Sequence, residues 1–313
     1  MIKELVKRPL ERVKLHSPKW GGKLEKLASR VYHWGHKPGH AHATNGCATN
    51  PRPYAYLGDS IALLTTAFGH KMFVSTRDIS LTPSLISEGS WEQWITNFFL
   101  QELKPEEQYL EVGCNVGFFT LLAAARVGPC GTVLGFEANP SVYDLLSRSL
   151  EVNGFRDRAQ VFNQAASNQE GTLDFYVMEK HQGSSSLYAF SDEYAAGWND
   201  TIKKISCKSV VLDTVLEQLR ITPTFIKVDA EGAEPLIFEG LARTLAKRRL
   251  RGIFEYSPSI VRGFGRDPRQ FLESFERIGY KLAVITTQST LIPIGSSLPD
   301  PAGGHADVFF CPA

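Results

Sequence analysis

The stretch that decides the fold is Tyr109-Leu-Glu-Val-Gly-Cys-Asn-Val-Gly-Phe-Phe-Thr120. Its first residues predict a buried strand that ends near Glu111, and the apolar residues after Gly117 predict a helix. Gly113 and Gly117 stand at the two ends of the turn between these elements. A residue without a Cβ there lets the backbone approach a ligand closely. In a doubly wound sheet this first strand-to-helix turn lies at the carboxyl ends of the strands, where cofactors bind.

The spacing of these glycines discriminates between cofactors. A dinucleotide fingerprint is GxGxxG, which places a pyrophosphate on a helix N-terminus, whereas this chain has Glu-x-Gly-x-x-x-Gly from Glu111 to Gly117. An acid before the first glycine suits a cationic cofactor such as S-adenosylmethionine, which carries an ammonium and a sulfonium and no phosphate. A second acid, Glu137, ends the next predicted strand, where a carboxylate can accept hydrogen bonds from ribose hydroxyls. Surface acids at strand ends are the alternative, but the combined spacing favours cofactor binding.

A third cluster is Phe225-Ile-Lys-Val-Asp-Ala-Glu-Gly-Ala-Glu-Pro235. An apolar strand carries Lys227 and delivers Asp229, Glu231 and Glu234 to the start of the next helix. Glu234 has a structural explanation, because acids in the first turn of a helix interact favourably with its dipole. Asp229 and Glu231 point to a function, because in a doubly wound order this strand lies beside the first one.

Around these motifs the chain alternates predicted strands and helices, which indicates a mostly parallel sheet with helices on both faces. A hairpin over 61–76 and a helix over 91–103, capped by Ser90, lead into it. The last two predicted strands, 281–285 and 307–311, have no helix between them and are expected to pair antiparallel at one edge. The predicted fold class is therefore α/β, a doubly wound, mostly parallel seven-stranded sheet with an antiparallel edge strand.

The chain divides at about residue 53. Residues 1–50 contain ten Lys and Arg against three acids, a charge of +7, and the remaining residues carry −6, so the net +1 hides a basic head on an acidic body. We expect 1–53 to be a helical extension with a His-rich linker, and 54–313 to form the main domain. Within that domain, 54–104 is the lead-in, and 179–204 breaks the alternation as an insertion typical of a substrate lid.

Composition excludes several classes of protein. The 313 residues are 43% hydrophobic, but no apolar run approaches the roughly twenty residues of a membrane-spanning helix. The five cysteines are odd in number and widely spaced, unlike a disulfide scaffold or a zinc site. The start of the sequence lacks the pattern of a secretory signal, so we expect a cytoplasmic location. Four histidines in 33–42 invite a metal interpretation, although a solvated polar loop explains them better.

Taken together, the three clusters resemble the FkbM family of S-adenosylmethionine-dependent methyltransferases. The matches are Glu111-Val-Gly-Cys-Asn-Val-Gly117, Glu137-Ala-Asn-Pro140 and Lys227-Val-Asp-Ala-Glu-Gly-Ala-Glu234. Weaker similarities are Gln164-Ala-Ala-Ser167, Gly183-Ser-Ser-Ser-Leu187, Glu255 and Asp307-Val-Phe-Phe310. The resemblance implies a class I methyltransferase fold that methylates a hydroxyl of a sugar, a glycan or a secondary metabolite. Cys114 departs from the family's usual small residue, but it is itself small.

The resemblance also implies roles for individual residues. Asp229 is the first candidate for the base, with Glu231 next and Glu255 in support, and His181 and His305 are more remote candidates. As an alternative, the same three acids hold a divalent cation that binds a sugar diol. The expected cofactor-binding residues are Glu111, Gly113, Asn115, Gly117, Glu137, Ala138, Asn139, Ala165, Ala166 and Asp229. The expected acceptor-binding residues are Lys227, His181, Ser184, Ser185 and Tyr256.

Two other functions compete with this prediction. A nucleic-acid methyltransferase would use the basic head as an anchor, but the acidic body is a poor phosphate surface, and Asp229-Ala-Glu-Gly232 replaces the Pro-Pro-Tyr/Phe pattern of amino-methylating enzymes. A non-catalytic scaffold would keep the fold and lose the cofactor motif, which is intact here. We therefore expect a hydroxylated small molecule or glycan as partner, no nucleic acid, and possible self-association through the N-terminal extension.

Overall fold

The computed structural model describes residues 52–294 and 304–313. The predicted N-terminal helix and the His-rich linker lie outside these ranges. A sheet of eight strands dominates the described residues. In chain order its strands are β4 (Gln108–Val112), β5 (Thr132–Phe136), β6 (Ala159–Phe162), β10 (Phe225–Val228), β11 (Arg251–Tyr256), β12 (Tyr280–Ile285), β13 (Leu291–Pro293) and β14 (Ala306–Pro312).

The spatial order of these strands is β13-β12-β14-β11-β10-β4-β5-β6. Strands β6, β5, β4, β10 and β11 run parallel to one another, and the central strands β5, β4 and β10 are almost fully buried. Such continuous apolar runs are typical of strands covered on both faces. The order reverses between β4 and β10, so the crevice between their carboxyl ends is the expected ligand site. The predicted doubly wound α/β fold is confirmed.

The antiparallel part of the sheet differs in detail from the prediction. β14 pairs antiparallel with β12, as expected, but it also pairs antiparallel with β11 and so lies between them. The outer edge is β13, an eighth short strand that pairs with β12. β13 has only three residues and all of them are exposed. Such a strand has no alternation of apolar and polar residues by which it could be predicted from the sequence.

Helices cover both faces of the sheet. The main ones are α3 (Phe118–Val127), α4 (Pro140–Val152), α6 (Leu212–Leu219) and α10 (Pro268–Arg277), with α7 (Glu234–Glu239), α8 (Ala242–Ala246) and α9 (Pro258–Gly263) shorter. Asn139 caps α4 by accepting a hydrogen bond from the Ser141 N–H at 3.1 Å, and Pro140 stands at the first position, where no N–H is needed. The helical segment that follows β10 consists of two helices, α7 and α8, with a break at Gly240 and Leu241.

The lead-in forms its own small sheet of β1 (Tyr54–Gly58), β2 (Ile61–Thr65) and β3 (Lys71–Ser75). The β2–β3 hairpin was predicted, whereas β1 and the helix α1 (Thr82–Ser87) were not. The next helix, α2 (Gln93–Glu102), begins at Gln93. The predicted cap is wrong because Ser90 donates its hydroxyl hydrogen bond to the Gln93 side chain and Glu92 is the N-cap residue.

A third sheet, in the order β7-β9-β8, sits beyond β6 and consists of β7 (Ala165–Ser167), β8 (Gly171–Met178) and β9 (Ile202–Val211). The segment predicted as an insertion connects β8 to β9. It contains a 3₁₀ turn, Gln182–Ser184, and the helix α5 (Asp192–Gly197), and its last residues, 202–204, already belong to β9. Across the described ranges, no helix combines the length and the apolar composition needed to cross a lipid bilayer.

Candidate active site at the strand ends

The parallel register brings the three sequence motifs to one edge of the sheet. Lys227 on β10 is the register partner of Glu111 on β4, and the next pair is Val228 with Val112. Both strands then end, and the Asp229 N–H donates to the Val112 carbonyl at 3.0 Å. The glycine turn and the Lys-x-Asp cluster therefore lie side by side at the point where the strand order reverses.

Gly113 is required by this close approach. Its φ is +80°, and a Cβ placed on it would lie 1.7 Å from the Asp229 carbonyl oxygen. No side chain fits in that space, and the left-handed backbone also disfavours one. Gly117, with a φ of +92°, is the N-cap residue of α3. The turn between them is thus held against β10 by backbone packing.

Glu111 lies under the turn with only 1% of its surface exposed. Its carboxyl group accepts a hydrogen bond of 2.7 Å from the Thr120 hydroxyl. Burial raises the pKa of Glu111 to about 8, although the neighbouring Lys227 ammonium and the Thr120 bond act in the opposite direction. A cation placed at this turn would stabilise the ionised carboxylate.

Glu137 follows β5 and reaches back to the same turn. One of its oxygens accepts from the Asn115 N–H and the other from the Asn139 N–H, both at 2.8 Å. Burial raises the pKa of Glu137 to about 7 against these two hydrogen bonds. Asn115 itself has a left-handed φ of 50°, which aims its N–H at the carboxylate. Each carboxylate oxygen retains a lone pair for a ribose hydroxyl.

The chain next to Glu137 borders a separate cavity. This cavity of about 440 Å³ is bordered by Ala138, Asn163 and Gln164. The Asn163 amide fixes this wall by donating to the carbonyl oxygens of Glu137 and Ala138 at 2.9 and 3.1 Å. Within the described residues, the Nδ2 atom of Asn139 is buried without a hydrogen-bond partner. Ala165 and Ala166 are buried in β7.

Lys227 on β10 and Asp229, just past its end, form an ion pair in which the lysine side chain is buried and the aspartate side chain is 32% exposed. The Lys227 Nζ lies 2.7 Å from an Asp229 carboxylate oxygen and 4.7 Å from the centre of the Phe119 ring. Burial lowers the pKa of Lys227, but the Asp229 charge outweighs it and raises that pKa above its ordinary value. Burial raises the pKa of Asp229, and Lys227 more than offsets this, so the pKa of Asp229 falls below its ordinary value.

Glu231 and Glu255 complete the predicted catalytic group. One ligand atom from each of Asp229, Glu231 and Glu255 lies within 4.8 Å of the others, close enough to share a metal ion. Burial, followed by repulsion between the carboxylates, raises the pKa of both glutamates well above the ordinary value. The three acids predicted as one group are therefore together. Asp229 is paired with Lys227, and the Nδ1 atom of His305 lies 3.6 Å from a carboxylate oxygen of Glu255.

Two acids of this group were missed by sequence reasoning. Glu92, with a left-handed φ of 43°, has its pKa raised to about 8 by burial and then by Asp307. Asp307 is the register partner of Glu255 and accepts a hydrogen bond of 3.2 Å from the Trp94 indole. Asp307 stands in a quoted motif and was identifiable. Glu92 has no sequence signal, because only the tertiary fold brings α2 to this edge.

The segment between β8 and β9 lies over the site. The Ser186 hydroxyl donates to the Glu231 carbonyl at 2.8 Å, and a Cβ on Gly183 would lie 3.4 Å from the Asn115 side chain. The predicted acceptor residues differ in availability. Ser185 accepts a hydrogen bond from the Met178 N–H at 3.1 Å. Tyr256 is only 1% exposed and packs in the core, so no acceptor contact is assigned to it.

The match to known proteins covers the same motifs. Residues 111–282, more than half of the chain, match the family described as the methyltransferase FkbM domain. Two curated relatives are demethylmenaquinone methyltransferases: that of Symbiobacterium thermophilum is 32% identical over 23% of this chain and 30% of its own length. The enzyme of Lactobacillus johnsonii is 29% identical over 25% of this chain and 32% of its own length. The chain thus spans about a third of the length of the curated relatives that it matches.

Solved structures show similar backbones at low identity. The methyltransferase FkbM of Methylobacillus flagellatus KT has a TM-score of 0.40 at 14% identity, over 65% of this chain and 43% of that one. The O-methyltransferase of Bacillus cereus, solved in complex with SAH, has a TM-score of 0.37 at 13% identity. The match covers 76% of this chain and 83% of that one.

Proposed function

Because the chain belongs to the family of methyltransferase FkbM domains, we propose that it is an S-adenosylmethionine-dependent O-methyltransferase. The acceptor is a hydroxyl of a sugar, a glycan or a secondary metabolite. The observation that carries the proposal is the packing of Gly113 against the Asp229 carbonyl. This contact joins the cofactor turn, residues 113–117, to the acidic cluster of Asp229, Glu231 and Glu255, at the point where the strand order of the sheet reverses. Ligands of doubly wound sheets bind at that position.

The residues around the turn fit this cofactor. The proposed contacts are the backbone of 113–117 for the amino-acid part, Glu137 for the ribose hydroxyls and the cavity beside Ala138 and Gln164 for the adenine. Glu111, buried below the turn, favours a cation above it. When bound, the cofactor supplies a methyl group on a positively charged sulfur, and the protein aligns the acceptor and removes its proton.

The acidic cluster forms the acceptor side of the proposed site. Asp229, ionised through Lys227, accepts hydrogen bonds from the acceptor. Burial and then repulsion between the carboxylates raise the pKa values of Glu231 and Glu255, which favours their protonated, hydrogen-bond-donating forms more than at an ordinary glutamate. The ion pair makes Asp229 a weaker base than the sequence alone predicts, since a carboxylate with a lowered pKa accepts protons less readily. A divalent cation on the three acids is the alternative use of this cluster, supported by one oxygen atom of each acid lying within 4.8 Å of the others.

Binding and transfer are tested separately. Calorimetry should show that the full chain binds S-adenosylmethionine, and Glu137→Gln should weaken binding, because an amide accepts fewer hydrogen bonds from the ribose than a carboxylate. Asp174→Asn, an exposed acid paired with Lys204 on the β8–β9 sheet, is the matched control. Labelled methyl transfer to a panel of methyl hexopyranosides then tests the acceptor class. If the wild-type chain does not bind the cofactor, the proposed function is wrong.

A further inference from the structure

His181 and Asp200 form a hydrogen-bonded pair in the segment that covers the site. The His181 Nδ1 lies 2.8 Å from an oxygen of Asp200, and the Asp200 side chain is completely buried. That carboxylate also accepts from the backbone N–H groups of Lys180, His181 and Thr201. Burial raises the pKa of Asp200, but the bonds from His181 and the backbone outweigh it and keep the pKa below its ordinary value.

An ionised Asp200 fixes the orientation of the imidazole ring. A carboxylate without a proton only accepts hydrogen bonds, so the His181 Nδ1 carries a hydrogen, and in the neutral form of the ring the Nε2 is left as the acceptor. Among residues 52–294 and 304–313 no hydrogen-bond partner of that Nε2 is found. The Trp198 ring packs edge-on against the imidazole with centroids 5.5 Å apart, which holds the ring from the side.

The pair stands at the proposed acceptor site. His181 opens the 3₁₀ turn Gln182–Ser184, and Gly183 of that turn lies against the Asn115 side chain of the cofactor turn. Along α5, Tyr194 has its pKa raised by burial and then by Glu231 and Glu255, so this helix faces the acidic cluster. The centre of the Tyr194 ring lies 6.4 Å from that of Trp198, the residue against which His181 packs.

These contacts provide a proton acceptor outside the group of Asp229, Glu231 and Glu255. Asp229 is ion-paired with the Lys227 ammonium, whereas the Nδ1 atom of His181 is held by Asp200 and its Nε2 has no hydrogen-bond partner among the described residues. A neutral imidazole with a free Nε2 is the side chain most often used as a general base. The His–Asp arrangement also stabilises the imidazolium that forms when the ring takes up a proton.

We infer that His181 is the general base of the reaction and that Asp200 is its positioning residue. The inference rests on the proposed O-methyltransferase function. The acceptor O–H bond breaks and its proton moves to the His181 Nε2. The acceptor oxygen then forms a bond to the methyl carbon as the carbon–sulfur bond breaks. The electron pair of the carbon–sulfur bond stays on sulfur, which becomes a neutral thioether.

A measurement that needs no acceptor tests the geometry. Nitrogen NMR of the full chain with ¹⁵N-labelled histidine, with His181 assigned from its loss in His181→Gln, reports which ring nitrogen carries the proton. We expect the neutral ring to be protonated on Nδ1, and Asp200→Asn to shift the proton toward Nε2. A wild-type ring protonated on Nε2 at pH 7 to 8 would overturn the inference, whatever the protein methylates.

Activity provides the second test, with labelled S-adenosylmethionine and the methyl hexopyranoside panel as probes. We expect His181→Gln to lower kcat by about 10²- to 10⁴-fold, with cofactor affinity unchanged by calorimetry. Asp200→Asn should lower kcat less, and the control Asp174→Asn should have wild-type kcat. Transfer at the wild-type rate in His181→Gln refutes the inference and leaves the proposed function intact. Cofactor binding without transfer to any panel member refutes the acceptor class, and the NMR result still decides the role of His181.

Discussion

The Lys227 ammonium lies 2.7 Å from the Asp229 carboxylate, and its side chain is only 5% exposed. The pair sits where β10 ends, next to the register partner of Lys227, Glu111. Removing one partner of a buried ion pair leaves a charge without compensation, which is costly in free energy.

We therefore expect Asp229→Ala to lower the free energy of unfolding by about 3 kcal/mol, measured by urea denaturation. The matched control is Asp174→Ala, which breaks an ion pair with Lys204 in which both side chains are more than half exposed. That change should cost less than about 1 kcal/mol. Equal losses of unfolding free energy in the two variants would show that the buried Lys227 charge does not need Asp229 for its compensation.

Gly113→Ala should destabilise the fold by about 3 to 5 kcal/mol, because the new Cβ meets a backbone carbonyl and the left-handed φ adds its own strain. Gly154 separates the two effects: its φ is +70°, and nothing lies within 4 Å of a Cβ placed on it. Gly154→Ala should therefore cost only about 1 to 2 kcal/mol. Urea denaturation measures both, and similar losses would contradict the close packing at Gly113.

Stability should depend on pH through Glu111. Its pKa is raised from an ordinary 4.5 to about 8 in the folded protein, so the folded chain binds a proton there that the unfolded chain has released. The resulting stabilisation is complete below about pH 4.5 and is lost as the pH rises toward 8. Glu111→Gln, which cannot ionise, should flatten this part of the profile measured by urea denaturation between pH 5 and 8. An unchanged slope would contradict the raised pKa.

Cofactor binding should release protons near pH 7. Glu111 and Glu137, with pKa values of about 8 and 7, are partly protonated before a cation arrives, and a nearby positive charge favours their ionised forms. Calorimetry in buffers of different ionisation enthalpy measures the number of protons released. S-adenosylhomocysteine has a neutral sulfur and should release fewer. The prediction fails if both ligands bind without proton release.

Methyl transfer should survive exhaustive chelation. The Lys227 ammonium already compensates Asp229, so the acidic cluster does not need a divalent ion for its charge balance. Transfer is measured before and after treatment with EDTA and passage over a chelating resin. Loss of transfer that Mg²⁺ or Mn²⁺ restores would instead establish the cation site at Asp229, Glu231 and Glu255.

Local pattern was sufficient to predict the elements around the cofactor turn. The strand through Glu111 and the helix after Gly117 depend on residues close together in sequence, and the structure contains both of them. Elements that depend on distant partners were missed. β9 alternates weakly, yet it pairs along most of its length with β8 and also with β7. Its pairing, rather than its own composition, makes it a strand.

The sequence by itself determined the fold class, the cofactor turn and the identity of the acids at the strand ends, because glycine spacing and charges after apolar strands are local properties. Only the tertiary structure decided how those acids are used. It paired Asp229 with Lys227, brought Glu92 and Asp307 to the same edge, and placed Asp200 against His181. Protonation depends on burial and on which charge lies nearest, and both are set by residues far apart in the chain.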